Sequence, residues 1–480
     1  MTAAEPGGRL PDGFAVRLDP RTRRRDGGAA LLGGSPLRLL RLSARARDML
    51  AGDRLVVRDA TTAALAARLL DAGLAHPDLP PALAVEDVTV VIPVRDRPAG
   101  LGRLLAALRA DPATTGLPVV VVDDGSVVPV PVTAGVRVLR HGASRGPAAA
   151  RNAGLRAAAT PFVAFLDSDC VPRQGWLQRL RPHLDDPRLA LVAPRVVALD
   201  AAAPGWPAPY EAVAGALDMG PHPAPVRPGS AISYVPSAAL LVRRSAVGPG
   251  FDEALRVAED VDLVWRLTAA GWRVRYEAGA AVAHEHPATT GEWLRRRAFY
   301  GTGAALLAAR HGSLVSPLVL APSSALAWAL AVAGRRRGRA AAAGILAVDA
   351  VRLARRLGQP PPVPLAAGLV AHGSAASGRA LARSVTRHHW PLALAAAAAS
   401  RRARRWVAGA MVADAVLAWW PHRARIGPLR FAAARRLEDL AYGAGLWTGA
   451  VREREPRALL PARPPRRPEA AAMNSSPSRE

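Results

Sequence analysis

The chain has 480 residues, half of them apolar, and a net charge of +26, a length that points to two or three domains rather than one core. Its single cysteine, Cys170, excludes a disulfide framework and a thiolate metal cluster. Nucleic acid is not the expected partner: from Ser313 onward the chain holds 26 Arg against 8 Asp and Glu, +18 of the +26, and with no lysine and abundant alanine this reads as coding bias rather than a phosphate-binding surface.

"MTAAEPGGRLPDGFAVRLDP" has no apolar run behind a basic flank, so neither a signal peptide nor an N-terminal anchor is expected and the active part belongs in the cytoplasm. Residues 1–84 follow as a module in which "SPLRLLRLSARARDML" and "TTAALAARLLDAGLAHP" carry apolar residues at helical spacing. The expectation is a small helical or winged-helix-like module, either a packing extension or a peptide-recognition domain. "HPDLPPALA" reads as a linker.

From 85 to 312 the pattern alternates. "VTVVIPV" (Val88 to Val94), "LPVVVVDDGS" and "PFVAFLDSD" are apolar runs of strand length, separated by the helical "AGLGRLLAALRAD" and "PAAARNAGLRAAAT". Strands apolar on both faces and joined by helices imply an α/β domain with a parallel sheet, whose ligands bind outside the carboxyl ends of the strands. Three strands end in polar groups, Arg95 and Asp96, Asp123 and Asp124, and Asp167 and Asp169, so these converge on one crevice.

Asp167 and Asp169 follow an extended run, where residues i and i+2 point the same way and can share a cation. Two carboxylates with open positions suit Mg²⁺ or Mn²⁺ completed by water and phosphate oxygens; the bland alternative is a capped turn. A second D-x-D, Asp260 and Asp262, precedes a helical apolar stripe, on which such residues diverge. In "VVDDGS", Asp123 or Asp124 either makes an ordinary turn or accepts a hydrogen bond from a nucleobase or ribose. Gly146 and Pro147 open a helix whose amides suit an anion, with Arg151 and Asn152 a turn on toward the same nucleotide; a solvated helix face is the alternative for Arg151.

Beyond Ser313 apolar stretches alternate with Arg clusters. "SLVSPLVLAPSSALAWALAVAG" (Ser313 to Gly334) runs 22 residues without a charge before "RRRGR", long enough to cross a bilayer core with a cytoplasmic flank. "WPLALAAAAAS" and "WVAGAMVADAVLAWW" are shorter and bracketed by Arg, as interfacial helices, weak spans or a soluble bundle would be. The expectation is a hydrophobic, Arg-rich helical region over 313–460 that associates with the membrane, and a disordered tail over 461–480.

"VVIPVRDRPAGLGRLLAAL", "VVVVDDGS", "SRGPAAARNAG", "FLDSD" and "AEDVDLVWRL", in this order, resemble the inverting family 2 glycosyltransferases of GT-A fold, over about residues 87–312. The resemblance implies a UDP-sugar donor, with Pro93, Arg95 and Asp96 where the first strand meets the nucleotide, Asp123 and Asp124 on the uridine, and Arg151 and Asn152 supporting it. It assigns Asp167 and Asp169 to the metal and diphosphate, His284 to the completion of the metal site, and Glu259 and Asp260 to an acidic pair whose aspartate is the catalytic base. The family more often has Tyr or Asn before or at Asp96. At the start of a helix, the dipole favours that base in its charged form.

The flanking regions resemble a narrower branch of this family that adds glucose units to a peptide-derived redox cofactor. A lipid or cell-wall acceptor, and a silent nucleotide-binding scaffold at the membrane, are the alternatives.

Overall fold

The computed structural model describes residues 6–50, 52–199, 205–287, 289–334, 336–357 and 362–464, in two compact units that divide between Trp293 and Leu294.

The first unit begins with short strands rather than helices: β1 (Ala15–Leu18), β2 (Arg23–Arg25), β3 (Ala30–Gly33), β4 (Arg38–Arg41), α1 (Ala44–Met49), β5 (Arg54–Val56), α2 (Ala60–Ala72) and β6 (Ala75–Pro77). They form two antiparallel three-stranded sheets, β5-β1-β6 and β2-β3-β4. The expected first helix is therefore corrected: "RLLR" spends its apolar residues in the β3 pairing, and only Ala44–Met49 coils. The second helix forms with Asp59 as N-cap in a capping box with Thr62, and it ends at left-handed Gly73. Leu18, Leu31, Leu69, Leu70 and Leu74 make the core of this module.

The module is built onto the sheet behind it. Arg273 Nε reaches Asp71 Oδ1 at 2.8 Å while its Nη1 reaches Asp186 Oδ2 at 2.8 Å. Arg275 Nη2 meets His76 Nδ1 at 2.8 Å, and burial together with Arg275 pushes His76 down to about 4.

The remainder of the first unit comprises β7 (Val88–Val94), α3 (Pro98–Ala110), β8 (Val119–Asp123), β9 (Val136–Arg140), α4 (Pro147–Ala157), β10 (Phe162–Leu166), β11 (Cys170–Pro172), α5 (Trp176–Leu180), β12 (Leu189–Ala198), α6 (Ala208–Ala214), β13 (Ala224–Pro225), β14 (Ala239–Arg243), α7 (Arg244–Val247), α8 (Glu259–Ala269) and β15 (Arg273–His284). All seven residues of β7 are buried, as a strand covered on both faces requires. The order β11-β15-β12-β14-β10-β7-β8-β9 makes one sheet, with β13 paired to β15. It is parallel from β10 to β9, as expected, but β14 runs antiparallel to both β10 and β12. The sheet is therefore mixed, which corrects the all-parallel expectation. In α3, Leu101, Leu104, Leu105 and Leu108 recur at helical spacing and pack on Ile92, Leu166 and Trp176.

The second unit is helical. It continues α9 (Thr290–His311) into α10 (Pro322–Val332), α11 (Arg336–Leu357), α12 (Val363–Arg383), a π-helical turn at Ser384–His388, α13 (Trp390–Ala399), α14 (Arg401–Trp419) and α15 (Pro428–Arg452). Gly445 lies where α15 crosses α9, against the Ala298 carbonyl, leaving no room for a Cβ.

The expected membrane span is corrected here. Of Ser313 to Gly334 only the 11 residues of α10 are α-helical, about 16 Å against a hydrocarbon core of about 30 Å. Among the described residues no helix is long and apolar enough to cross a membrane. Pro317 and Pro322 interrupt the run, because proline cannot donate to the preceding turn. Of the expected tail, Ala462 bridges Val319, and residues 465–480 lie outside the described residues.

Candidate active site

The carboxyl ends of β7, β8 and β10 lie side by side, because these strands are parallel neighbours. Pro93 is buried in β7 opposite Val122, and Arg95 is exposed beyond it. Asp96 takes a left-handed φ of 53°. Its amide donates to Ser126 Oγ at 3.0 Å, and its Oδ1 accepts from the Val127 amide at 2.7 Å, tying the first two strand ends together.

Asp123 and Asp124 do opposite jobs from one dipeptide. Asp123 is fully buried and accepts from the Ser126 amide at 2.8 Å, the Val130 amide at 3.2 Å and Arg140. Asp124 faces the loop before α4. It accepts from the Arg145 and Gly146 amides at 2.9 and 2.8 Å and from Ser144 Oγ at 2.8 Å, and it pairs with His141 Nδ1 at 2.7 Å. Burial works against both charges, yet these donors hold both carboxyls below the usual range. Spacing carried no signal for His141 or Ser144, since they reach Asp124 across a strand and a loop.

The "DSD" geometry differs from the expected one. β10 ends at Leu166, and the Cys170 amide donates to the Asp167 carbonyl at 2.9 Å, so the two aspartates occupy a turn and not an extended strand. Gly100 of α3 permits this turn, because a Cβ there would stand 2.6 Å from the Ser168 carbonyl. Asp169 is buried with its Oδ1 3.4 Å from His284 Nε2, and Arg97 lies 3.5 Å from its Oδ2. Asp167 turns instead to Arg151 Nη2, at 2.6 Å. Among the described residues no three acidic, imidazole or thiol groups stand ready as a metal cage. The donor set of Asp169, His284 and the half-exposed Asp167 still fits a hard cation that takes few protein ligands and completes its shell with water and phosphate oxygens. Cys170 is buried, with its thiol pushed up by that burial, as a packing residue should be.

Arg151 is the hub. Its side chain is 3 % exposed, and Nη1 reaches Glu259 Oε1 at 2.9 Å while Nη2 holds Asp167. The Asp167 turn and the acidic start of α8 are thereby fixed to one guanidinium. Asn152 points away from the strand ends. Its amide spans the Phe251 carbonyl at 2.8 Å and the Phe251 amide at 2.9 Å, clamping the segment that leads into α8. Neither residue is a solvated helix face.

At α8, Ala258 is left-handed and launches the helix with Glu259 buried. Asp260 accepts from the Ser237 amide at 3.2 Å and the Val261 amide at 2.8 Å. Asp262 diverges to Arg266, at 2.7 Å, as its helical position required. Burial and then the charge of Glu259 push the Asp260 carboxyl up to about 7. The helix dipole alone predicts the opposite direction, and desolvation outweighs it. A carboxyl poised there can accept a proton near neutral pH. Trp293 Nε1 donates to buried Glu211 at 2.8 Å, with Tyr210 edge-on to the indole and His286 3.4 Å from the carboxylate.

A mixed sheet of GT-A type, a carboxylate turn at its carboxyl edge and an acidic helix start bound to that turn define a glycosyltransferase. The chain belongs to glycosyltransferase family 2, and residues 89–246 match the model described as "Glycosyl transferase family 2". Along nearly its whole length it is similar to the "Pre-mycofactocin glycosyltransferase" of Mycobacterium tuberculosis strains H37Rv and CDC 1551. The identity is 49% over 469 residues, covering 94% of this chain and 98% of the relative. A shorter likeness, 35% over 113 residues, is to the succinoglycan biosynthesis protein ExoO of Rhizobium meliloti, covering 22% of this chain and 32% of that protein. Among solved structures, a mannosyltransferase of Pyrobaculum calidifontis in complex with GDP-mannose and Mn²⁺ aligns with a TM-score of 0.37 and 20% identity, over 72% of this chain and 90% of that one.

Proposed function

We propose that the protein moves a hexose, glucose above all, from a UDP-sugar to a peptide-derived redox cofactor in mycofactocin biosynthesis, with inversion and with a divalent cation, Mg²⁺ or Mn²⁺. The observation that carries the reading is the Arg151 bridge, which fixes Asp167, in the carboxylate turn that would meet the diphosphate, to the helix that bears the proposed base. The acceptor is supported by the name and the extent of the mycobacterial likeness. A UDP-sugar donor puts the reaction on the cytoplasmic side.

When bound, the cation would neutralise the leaving diphosphate. Asp169 and His284 would hold it, with Asp167 beside them. Arg95 and Arg97 are exposed at the same edge and supply positive charge toward the phosphates. Asp96, Asp123 and Asp124 shape the loops against which uridine would lie. Asp260 removes the acceptor hydroxyl proton as that oxygen attacks the anomeric carbon, and attack from the face opposite the leaving group inverts the centre.

The test is transfer from UDP-glucose to pre-mycofactocin with Mn²⁺, read as a mass gain of one hexose. Replacing Asp167 and Asp169 together by Ala should abolish it, and undiminished transfer in that variant would remove the metal assignment. Transfer to a lipid or cell-wall glycan instead would leave the family intact and overturn the acceptor.

A further inference from the structure

The helical unit buries ion pairs beside a small apolar cluster of Ala304, Ala305, Ala308 and Leu446. Asp414 of α14 is buried and accepts Arg435 Nε and Nη2 at 2.7 and 2.8 Å, with Arg436 beside it. Asp439 of α15, fully buried, meets Arg383 at 2.6 Å and Arg387 at 3.2 Å. On the α13–α14 hairpin the exposed side chains are largely apolar between its ends: Leu392 and Leu394 on α13, then Trp406, Val412, Val416 and Leu417 on α14. Apart from Asp414 neither helix contains an acidic residue. A hairpin that turns its aspartate inward to arginines and presents leucine, valine and tryptophan is arranged for an apolar surrounding.

The ends of the α13–α14 hairpin say which surrounding. Arg401, Arg402, Arg404 and Arg405 stand exposed at its tip, around Ser400. At the other end of α14 exposed Trp420 is stacked by Arg423, whose guanidinium carbon lies 4.5 Å from the ring centroid. An apolar middle with arginine and tryptophan at its ends matches a helix lying in the headgroup layer, where arginine meets lipid phosphate and indole spans the boundary. The helices need not cross the bilayer for this.

We infer that the α13–α14 hairpin is a peripheral docking surface that inserts its outer face into the anionic leaflet of a membrane. The occupant is a lipid surface carrying negative headgroups; a second copy of this chain would bring the same four arginines and no acidic partner from either helix.

Sedimentation of the full-length protein with phosphatidylcholine vesicles, with and without phosphatidylglycerol, tests this. Binding is expected to the anionic vesicles, to weaken with salt, and to fall at least about tenfold in Val412→Asp/Leu417→Asp. Leu392→Asp/Leu394→Asp on the neighbouring helix should do the same, which guards against misfolding of the first variant; thermal melts of both are compared with wild type. Arg404→Glu/Arg405→Glu should remove the preference for phosphatidylglycerol. The inference is overturned if neither vesicle binds, if the aspartate variants bind like wild type, or if light scattering gives a wild-type dimer that these variants convert to monomer.

Discussion

The two units differ in how much apolar core they build: the sheet has a large one, the helical unit a small cluster of alanines and Leu446 beside buried ion pairs. In the first, Ile92, Val121, Ala164 and Leu241 of the central strands are fully buried, while charge gathers at the carboxyl edge of the sheet. In the second, Asp414, Glu438 and Asp439 are buried, and Val412, Leu417 and Leu429 face outward. Burying apolar surface supplies most of the first unit's stability, at about 1.5–3 kcal/mol per large side chain. The second buries a smaller apolar cluster together with its ion pairs, and small residues such as Gly445 let helix backbones approach. Composition alone does not separate the two, since both are rich in Ala, Leu and Val.

The largest way to sharpen this contrast is at Asp260, the proposed base. Asp260→Asn should lower kcat about 10²–10⁴-fold, while the melting temperature at pH 7.5 holds or rises. The sign follows from the raised carboxyl: between its ordinary 3.8 and about 7 the folded state binds the proton more strongly, so this group's contribution falls as pH rises through that window. For the same reason wild-type kcat/KM should drop about tenfold per pH unit below about 7, since the base works deprotonated. Asp260→Asn should change the acid limb of that profile, and an unchanged profile in the residual activity would move the base elsewhere.

Arg151→Ala should come next. It strands Asp167 and Glu259 and should cost about 3–5 kcal/mol in urea unfolding; a loss below about 1 kcal/mol would mean the two acids do not depend on the bridge. Asp414→Ala, the matching cut in the helical unit, should cost less, about 1.5–3 kcal/mol, because Arg435 and Arg436 keep partial contact with water. Smallest of all, Leu417→Asp should change stability in the absence of lipid by no more than about 0.5 kcal/mol. Leu241→Asp in the sheet should prevent folding, as a buried unpaired charge must. Equal effects from these two leucines would erase the difference between the units.

The parallel half of the sheet was readable in the chain because strands covered on both faces must be apolar throughout, as Val88–Val94 and Phe162–Leu166 are. The antiparallel return of β14 was not: "ALLVR" is equally apolar in either direction, and direction is set by where the preceding segment leaves off. "RLLR" misled for a related reason, since four residues fit a helix stripe and a strand equally well. The 22 uncharged residues after Gly312 looked like a span because a charge count does not weigh two prolines.

By itself the sequence determined the order of five motifs, the strand ends that carry Asp96, Asp123 and Asp167, and the helix that begins at Glu259, because periodicity and turn chemistry are local. Tertiary structure alone decided that Arg151 turns inward to Asp167 and Glu259, that Asn152 clamps Phe251, that Asp124 is held by His141 and Ser144, and that Asp414 and Asp439 turn inward to arginines. Each of these joins residues distant in sequence. Their partners are chosen by which buried groups must be satisfied once the elements have packed, and no pattern within a single element specifies that choice.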